Sequence, residues 1–220
     1  MTTVKTIAIV GATGNMGSAI TKSLSKGNYR LLLMANELSK LEALKAELEK
    51  AESKSEIDTI GCAKEASWEA DIIIVATPYG AEKEVAEKIK DVAVGKIVIS
   101  ISNPLNSDYN DLVTSSDTSA AEELQKMLPY SKVVKTFNTT FAADFVSPII
   151  YGKTADAFIA GNNGDAVVTV SEIVKTAGFN PIVAGDLSVS RTLERMQLLL
   201  IQLSMKNNYN WLAGWKILHN

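Results

Sequence analysis

The chain has 220 residues, 46% hydrophobic and 21% charged, with a formal net charge of −3; that length buries a sizeable core, and the mild negative charge without a basic stripe argues against a nucleic-acid partner, since neutralising phosphates takes clustered Lys and Arg. No apolar run is long enough to span a bilayer, and the opening segment is too short before the first strand to be a signal peptide, so a protein without membrane association is expected. A single cysteine, Cys62, permits no internal disulfide and fits a reducing cytoplasm, and one Cys with one His (His219) cannot assemble the usual zinc ligand sets, so no metal is expected.

Residues 6–10 read as the first strand and 16–26 as a helix closed by Gly27 at C′. Residues 30–35 form the second strand. Ser39 opens the next helix, with Glu42 three positions on as a capping-box pair and Leu41, Leu44 and Leu48 at helical spacing. The sign-alternating charges of residues 40–56 mark a solvated face. Residues 71–76 are apolar almost throughout, as in a sheet covered on both faces. A helix over 81–90, strands over 96–101 and 132–137, and a polar loop over 108–119 follow. This repetition with short connections predicts an α/β fold, a Rossmann-type doubly wound, mainly parallel sheet with right-handed crossovers. After Phe141 the rhythm changes to a strand over 155–160, a helix over 165–176, a strand over 180–184 and a long helical stretch over 187–203. The expected division is a dinucleotide-binding domain, 1–140, with a small C-terminal α/β lobe, 141–220, packed on it.

Gly11-Ala12-Thr13-Gly14-Asn15-Met16-Gly17 lies between the first strand and the first helix. Pyrophosphate binding needs that context: a tight turn, close backbone approach, and a helix N-terminus aiming its N–H groups at the phosphates. Gly11 makes the turn, Gly14 permits the approach, and Gly17 lets the helix pack against the sheet. The spacing is Gly-x-x-Gly-x-x-Gly rather than the more usual Gly-x-Gly-x-x-Gly. At the end of the second strand, where NAD binders place an acid and NADP binders an arginine, the chain reads Ala35-Asn36-Glu37. Asn36 can bond either ribose form. Glu37 can select NAD or point to solvent, and Lys40 can meet a 2′-phosphate or lie on the surface.

The other strand ends read Ala76-Thr77-Pro78-Tyr79, Ser102-Asn103-Pro104-Leu105 and Phe137-Asn138-Thr139-Thr140, and ligands of such sheets bind beyond the carboxyl ends of the strands. Tyr79 and Lys83 match Tyr-x-x-x-Lys, the acid/base pair of short-chain dehydrogenases, but directly follow an early strand rather than a late one, and that reading is rejected. No Ser/His/Asp set or carboxylate pair sits at the rim. That fits hydride transfer, which asks mainly for positioning, and no catalytic side chain is assigned. Tyr209, Trp211 and Trp215 either cap the cleft or pack in the core or at an interface. Met196, Leu199, Leu200 and Leu203 read as a buried helix face.

Together the glycine loop, Ser102-Asn103-Pro104-Leu105 and Val133-Val134-Lys135-Thr136-Phe137-Asn138-Thr139 resemble NADPH-dependent reductases of the deazaflavin coenzyme F420, whose superfamily includes the cytosolic domain of six-transmembrane ferric reductases. The resemblance continues through Phe158-Ile159-Ala160-Gly161-Asn162-Asn163, Ala177-Gly178-Phe179-Asn180-Pro181 and the helical stretch 187–201, nearly the whole chain. It implies a Rossmann domain, a small lobe, a homodimer, and nicotinamide and acceptor rings stacked in a cleft between the lobes. Carried over by residue, Gly11, Ala12, Thr13, Gly14, Asn15, Met16 and Gly17 bind pyrophosphate. Ala76, Thr77, Pro78 and Tyr79 flank the dinucleotide, and Asn36 and Lys40 serve its ribose end. Asn103 and Pro104 lie near the nicotinamide, and Asn138, Thr139 and Thr140 near the substrate. The family's Ser-Arg at the end of the second strand is Ala35-Asn36 here, so the bidentate guanidinium grip on a 2′-phosphate is missing and Lys40 stands in for it. NADP is the expected cofactor, with NAD open, and F420 or a flavin is the co-substrate. The competing class is a non-catalytic dinucleotide sensor of redox state. An imine reductase like pyrroline-carboxylate reductase needs a long helical dimerisation domain, for which too few residues follow Thr140.

Overall fold

In the computed structural model, residues 4–219 are described. Eight strands form one sheet, in the order β10-β9-β6-β5-β4-β1-β2-β3. They are β1 (Lys5–Val10), β2 (Tyr29–Met34), β3 (Glu56–Thr59), β4 (Ile72–Val75), β5 (Ile97–Ser100), β6 (Lys132–Lys135), β9 (Asp156–Gly161) and β10 (Asn180–Gly185). A two-stranded ribbon, β7 (Ile149–Ile150) and β8 (Lys153–Thr154), stands apart. The strands pair in parallel from β3 through β6, and β9 and β10 pair in parallel with each other. The junction β6–β9 is antiparallel, so residues beyond Phe141 extend the same sheet with the chain direction reversed.

Alternation along the strands builds two cores. Ile7, Ile9, Leu31, Leu33, Ile72 and Ile74 face helices α1 (Asn15–Leu24), α2 (Leu38–Lys50) and α6 (Gly164–Thr176). Ala8, Val10, Leu32, Ile73 and Val75 face α3 (Ala63–Glu69), α4 (Tyr79–Ile89) and α5 (Ala120–Met127). Both faces of the central strands are thus covered, which is why β4 reads as an unbroken apolar run.

Three local expectations are corrected. Helix α1 ends with Ser25 as its right-handed cap, and Gly27 N–H closes on Leu24 O without the positive φ of a C′ glycine. Helix α2 begins at Leu38 with Glu37 as its cap residue, so Ser39 lies inside it; Glu42 instead accepts the Thr59 hydroxyl of β3 at 2.8 Å. In α7 (Ser190–Asn207) the buried face carries Leu193, Glu194, Gln197, Leu198, Leu200 and Ile201, whereas Leu199 and Leu203 point outward.

Past α7 the chain doubles back over the carboxyl rim. Asp156, fully buried at the start of β9, anchors it: the carboxylate accepts Lys216 Nζ at 2.7 Å and Ile217 N–H at 2.6 Å, and Asp156 N–H donates to Trp215 O at 2.8 Å. This strap sets Trp211 edge-on against Phe141, with ring centroids 5.5 Å apart.

Candidate active site

The turn after β1 is closed on itself. Gly11 and Ala12 both donate their N–H to Met34 O, at 2.8 and 3.0 Å, and Gly14 N–H donates to Gly11 O at 3.1 Å. Gly11 sits at φ +93°, and a Cβ there would lie 2.5 Å from Ala76 O. A Cβ on Gly17 would lie 2.1 Å from Gly11 O, so Gly17 lets α1 seat on the turn itself rather than on the sheet. Gly14 differs: its φ and ψ of −68° and 166° suit any residue, and an added Cβ would make only ordinary contacts, 3.4 Å from Gly11 O and 3.9 Å from Ala76 O. The fold itself does not require a glycine there. Gly14 caps α1 with no side-chain hydrogen bond, and no acidic residue lies in the first turn. The first N–H groups of α1 therefore meet the rim with the positive helix end uncompensated, the chemistry that suits a pyrophosphate.

From this cradle a trough runs along the carboxyl rim in three joined cavities of about 280, 770 and 470 Å³. The first is lined by Gly11, Thr13, Gly14, Asn36, Glu37 and Lys88. The second shares Gly14, Ala76, Thr77 and Pro78 with it and adds Tyr79, Ser102 and Asn103. The third shares Asn15, Met16 and Asn103 with the second and adds Asn138, Thr140, Gln197 and Trp211. Most of the residues expected from sequence therefore meet along one path. Five do not line it: Ala12, Gly17 and Thr139 are buried, Lys40 is exposed beside it, and Pro104 is buried behind the rim, where its carbonyl accepts Val113 N–H. Beyond the end of β2 Lys40 Nζ pairs with Glu37 Oε1 at 2.8 Å, both exposed, and Lys88 pairs with Glu84 at 2.6 Å. Both lysines near this end are thus already engaged by glutamates.

The far end is tied together by side-chain amides. Asn103 Nδ2 donates to Asn138 O and Asn138 Nδ2 to Asn103 Oδ1, each at 2.9 Å, joining the ends of β5 and β6. Phe137, just before, holds a left-handed φ of +58° while fully buried against Phe145 and Phe179. A bulky residue persists there only because its surroundings over-determine it. Asn138 Oδ1 and Gln197 Oε1 are buried at this cavity without a hydrogen-bond partner, so a ligand bearing N–H groups would complete them. Tyr79 donates its hydroxyl to Glu123 Oε2 at 2.5 Å, and burial together with that carboxylate pushes its pKa up, while Lys83 lies exposed. This geometry gives no tyrosine–lysine acid/base pair.

Sequence reasoning missed a buried charge cluster under the rim. Lys135, Glu194 and Glu82 are at most 1% exposed. Lys135 Nζ bonds Glu194 Oε1 at 2.7 Å. Glu82 is pushed by burial up to about 7, against the pull of the Lys135 charge and of the Ser102 hydroxyl. Asp144 is likewise raised by burial, to about 6, although its Oδ2 accepts Phe141 N–H at 2.8 Å. In sequence Lys135 and Asp144 follow apolar residues, the one signal that could have flagged them; Glu82 and Glu194 stand among other charges and carry none.

Residues 6–104 match the family model described as NADP oxidoreductase, coenzyme F420-dependent. The F420-dependent NADP reductase of Methanocaldococcus jannaschii is 32% identical over 210 residues, spanning 91% of this chain and 92% of that one. The chain belongs to this family. The Metalloreductase STEAP3 of Rattus norvegicus is 31% identical over 113 residues, 51% of this chain and 22% of that one. The crystal structure of a candidate F420-dependent NADP-reductase from Arthrobacter sp. FB24 shares the fold, with a TM-score of 0.81 at 23% identity over 97% of this chain and 99% of that chain. Family membership makes this chain an NAD(P)-dependent oxidoreductase with a Rossmann-type sheet, as its motifs imply. In this F420-dependent oxidoreductase family member, no helix among the described residues is long and apolar enough to cross a membrane.

Proposed function

We propose that this chain transfers a hydride between NADP(H) and a flat deazaflavin of the coenzyme F420 type. The observation that carries this reading is one continuous trough whose near end is a glycine cradle fit for pyrophosphate and whose far end offers unpartnered amide oxygens and an aromatic wall. NADPH supplies the hydride. Thr13, Asn15 and Met16 hold the diphosphate through backbone N–H groups, while Gly11 and Gly14, whose own amides close the turn, leave it room to approach. Asn36 bonds the ribose, with Lys40 turning from Glu37 to meet the 2′-phosphate. Ala76, Thr77, Pro78 and Tyr79 flank the dinucleotide, and Asn103 faces the nicotinamide. Asn138, Thr140 and Gln197 orient the acceptor ring, and Trp211 shields its outer side from water. No side chain need hold or move a proton on the nicotinamide, because hydride transfer is a matter of distance and alignment.

On this reading residues 1–140 carry the dinucleotide, and 141–220 supply the far wall of the acceptor cavity. The exposed Leu199 and Leu203, one turn apart on α7, form a homodimer contact in the cytoplasm; sedimentation of the purified chain at two concentrations tests the dimer. A redox sensor would have no use for the second ring-sized cavity. The decisive experiment mixes the protein with NADPH or NADH and a panel of F420, FMN and riboflavin, following the reduced-nicotinamide absorbance. Oxidation fastest with NADPH and F420 is expected. A decay no faster than without protein, for every pair, overturns the proposal.

A further inference from the structure

A lysine at the end of a buried strand is costly unless its charge is matched. Lys135 closes β6, and its side chain and that of Glu194, in the second turn of α7, are both fully buried. Besides the ion pair, Lys135 Nζ donates to the carbonyl of Ser102 and lies 3.5 Å from Ser100 Oγ, both at the end of β5. Glu194 Oε2 accepts the N–H of Ala120, the first residue of α5, at 3.1 Å. One ion pair thus gathers four elements.

Three of these elements, β5, β6 and α7, lead to walls of the trough. The Ser102 carbonyl that Lys135 grips belongs to the peptide leading into Asn103, and Asn103 is locked to Asn138 by the reciprocal amide bonds. On α7, Glu194, Gln197 and Ile201 are spaced i, i+3 and i+7 and so share one helix face; the last two line the acceptor cavity. An apolar pair of the same size would hold α7 to the sheet at least as well. What the ions add is directional bonding, which fixes where the helix sits along the strand ends.

We propose that Lys135 and Glu194 are positioning residues, a clamp that keeps the α7 wall of the cavity in register with the Asn103–Asn138 rim and so sets the gap across which the hydride moves. The proposal rests on the reading of that cavity given above. Neither residue touches either ring.

The test uses the double variant Lys135→Met/Glu194→Met. Either single variant strands a buried charge and is expected to unfold in part; the double removes both charges together. Thermal unfolding, the Kd of 2′-phospho-ADP-ribose, the Kd of NADPH and single-turnover hydride transfer to F420 are measured on wild type and double variant. Expected are a folded protein, a 2′-phospho-ADP-ribose Kd changed less than about twofold, loss of most of the extra affinity that the nicotinamide half gives NADPH, and transfer slowed about tenfold or more. A folded double variant with the wild-type nicotinamide increment and wild-type transfer overturns the clamp. So does one that loses both ligands in parallel or does not fold, since the pair would then serve the fold as a whole. If wild type transfers no hydride to F420, the acceptor reading fails by itself, and the nicotinamide increment still decides the clamp.

Discussion

The sharpest separation of fold from function is available at Gly14. In this turn Gly11 and Gly17 are demanded by the protein: a methyl on either would sit 2.5 Å or 2.1 Å from a backbone oxygen. At Gly14 the same methyl would rest 3.4 Å from Gly11 O, on a backbone open to any residue. Gly14→Ala should therefore cost no more than about 1 kcal/mol, the difference between glycine and alanine at a helix cap. For a chain of this size that is a fall of about 2–4 °C in Tm. Gly17→Ala should cost about 1–3 kcal/mol or more, because the backbone must move to relieve the overlap. The methyl at Gly14, however, occupies the space a phosphate needs to reach the amides of α1, and weakening of NADPH by about tenfold or more, ~1.4 kcal/mol, follows. Calorimetric titration of Gly14→Ala with NADPH, paired with a thermal melt, reads both quantities at once. Wild-type affinity in a folded Gly14→Ala protein would refute the cradle, and so would a Tm loss as large as that of Gly17→Ala.

Other outcomes follow from the same geometry. Glu37→Gln frees Lys40 and removes a carboxylate from the ribose end, so NADPH should bind about fivefold tighter, ~1 kcal/mol, with NADH nearly unchanged; equal shifts for both would place Glu37 away from the 2′ position. Tyr79→Phe should keep hydride transfer within about threefold, since the hydroxyl is committed to Glu123; a hundredfold loss in kcat would restore the acid/base reading rejected above. Glu82, near 4.5 when unfolded and about 7 when buried, binds its proton more tightly in the folded chain. Its contribution to stability is therefore greatest at low pH and declines as pH rises from about 4.5 through 7, a loss of about 2–3 kcal/mol between pH 5 and 8. Asp144 acts in the same direction at lower pH. Denaturant midpoints at the two pH values should show this fall, and Glu82→Gln should flatten it; an unchanged slope in Glu82→Gln would rule Glu82 out as its source.

What the sequence made legible is what elementary sterics constrain. The glycine spacing between a strand and a helix, the apolar runs of β1, β2 and β4, and the polar residues at strand ends could be placed because few other structures use them. Strand β3 escaped notice because it is an edge strand of four residues with two acids, Glu56 and Asp58, which reads as an extension of the charged helix before it. Helices α3 and α5 are short, seven and eight residues, and give little periodicity to detect. The Ser39–Glu42 capping box misled because Glu42 bonds Thr59, a partner seventeen residues away that only the folded chain supplies. The buried charges escaped for a related reason. Sequence rules put Lys135 and Glu194 in water, and their neutralisation is a long-range event, 59 residues apart in the chain. Gln197 and Ile201 joined the site by sharing their helix face with that hidden pair, whereas Trp211 arrived on the strap.

The strap has a temporal meaning. A ribosome releases residues in order, so the phosphate cradle at residues 11–17 and the strand ends that follow it are finished long before Trp211 can reach Phe141 and Lys216 can reach Asp156. On the proposed reading, a chain in which the strap has not yet folded back would hold its coenzyme beside an unshuttered chamber. Reducing equivalents would then escape to any small oxidant that diffused in, and docking of the strap doubles as closure of that leak.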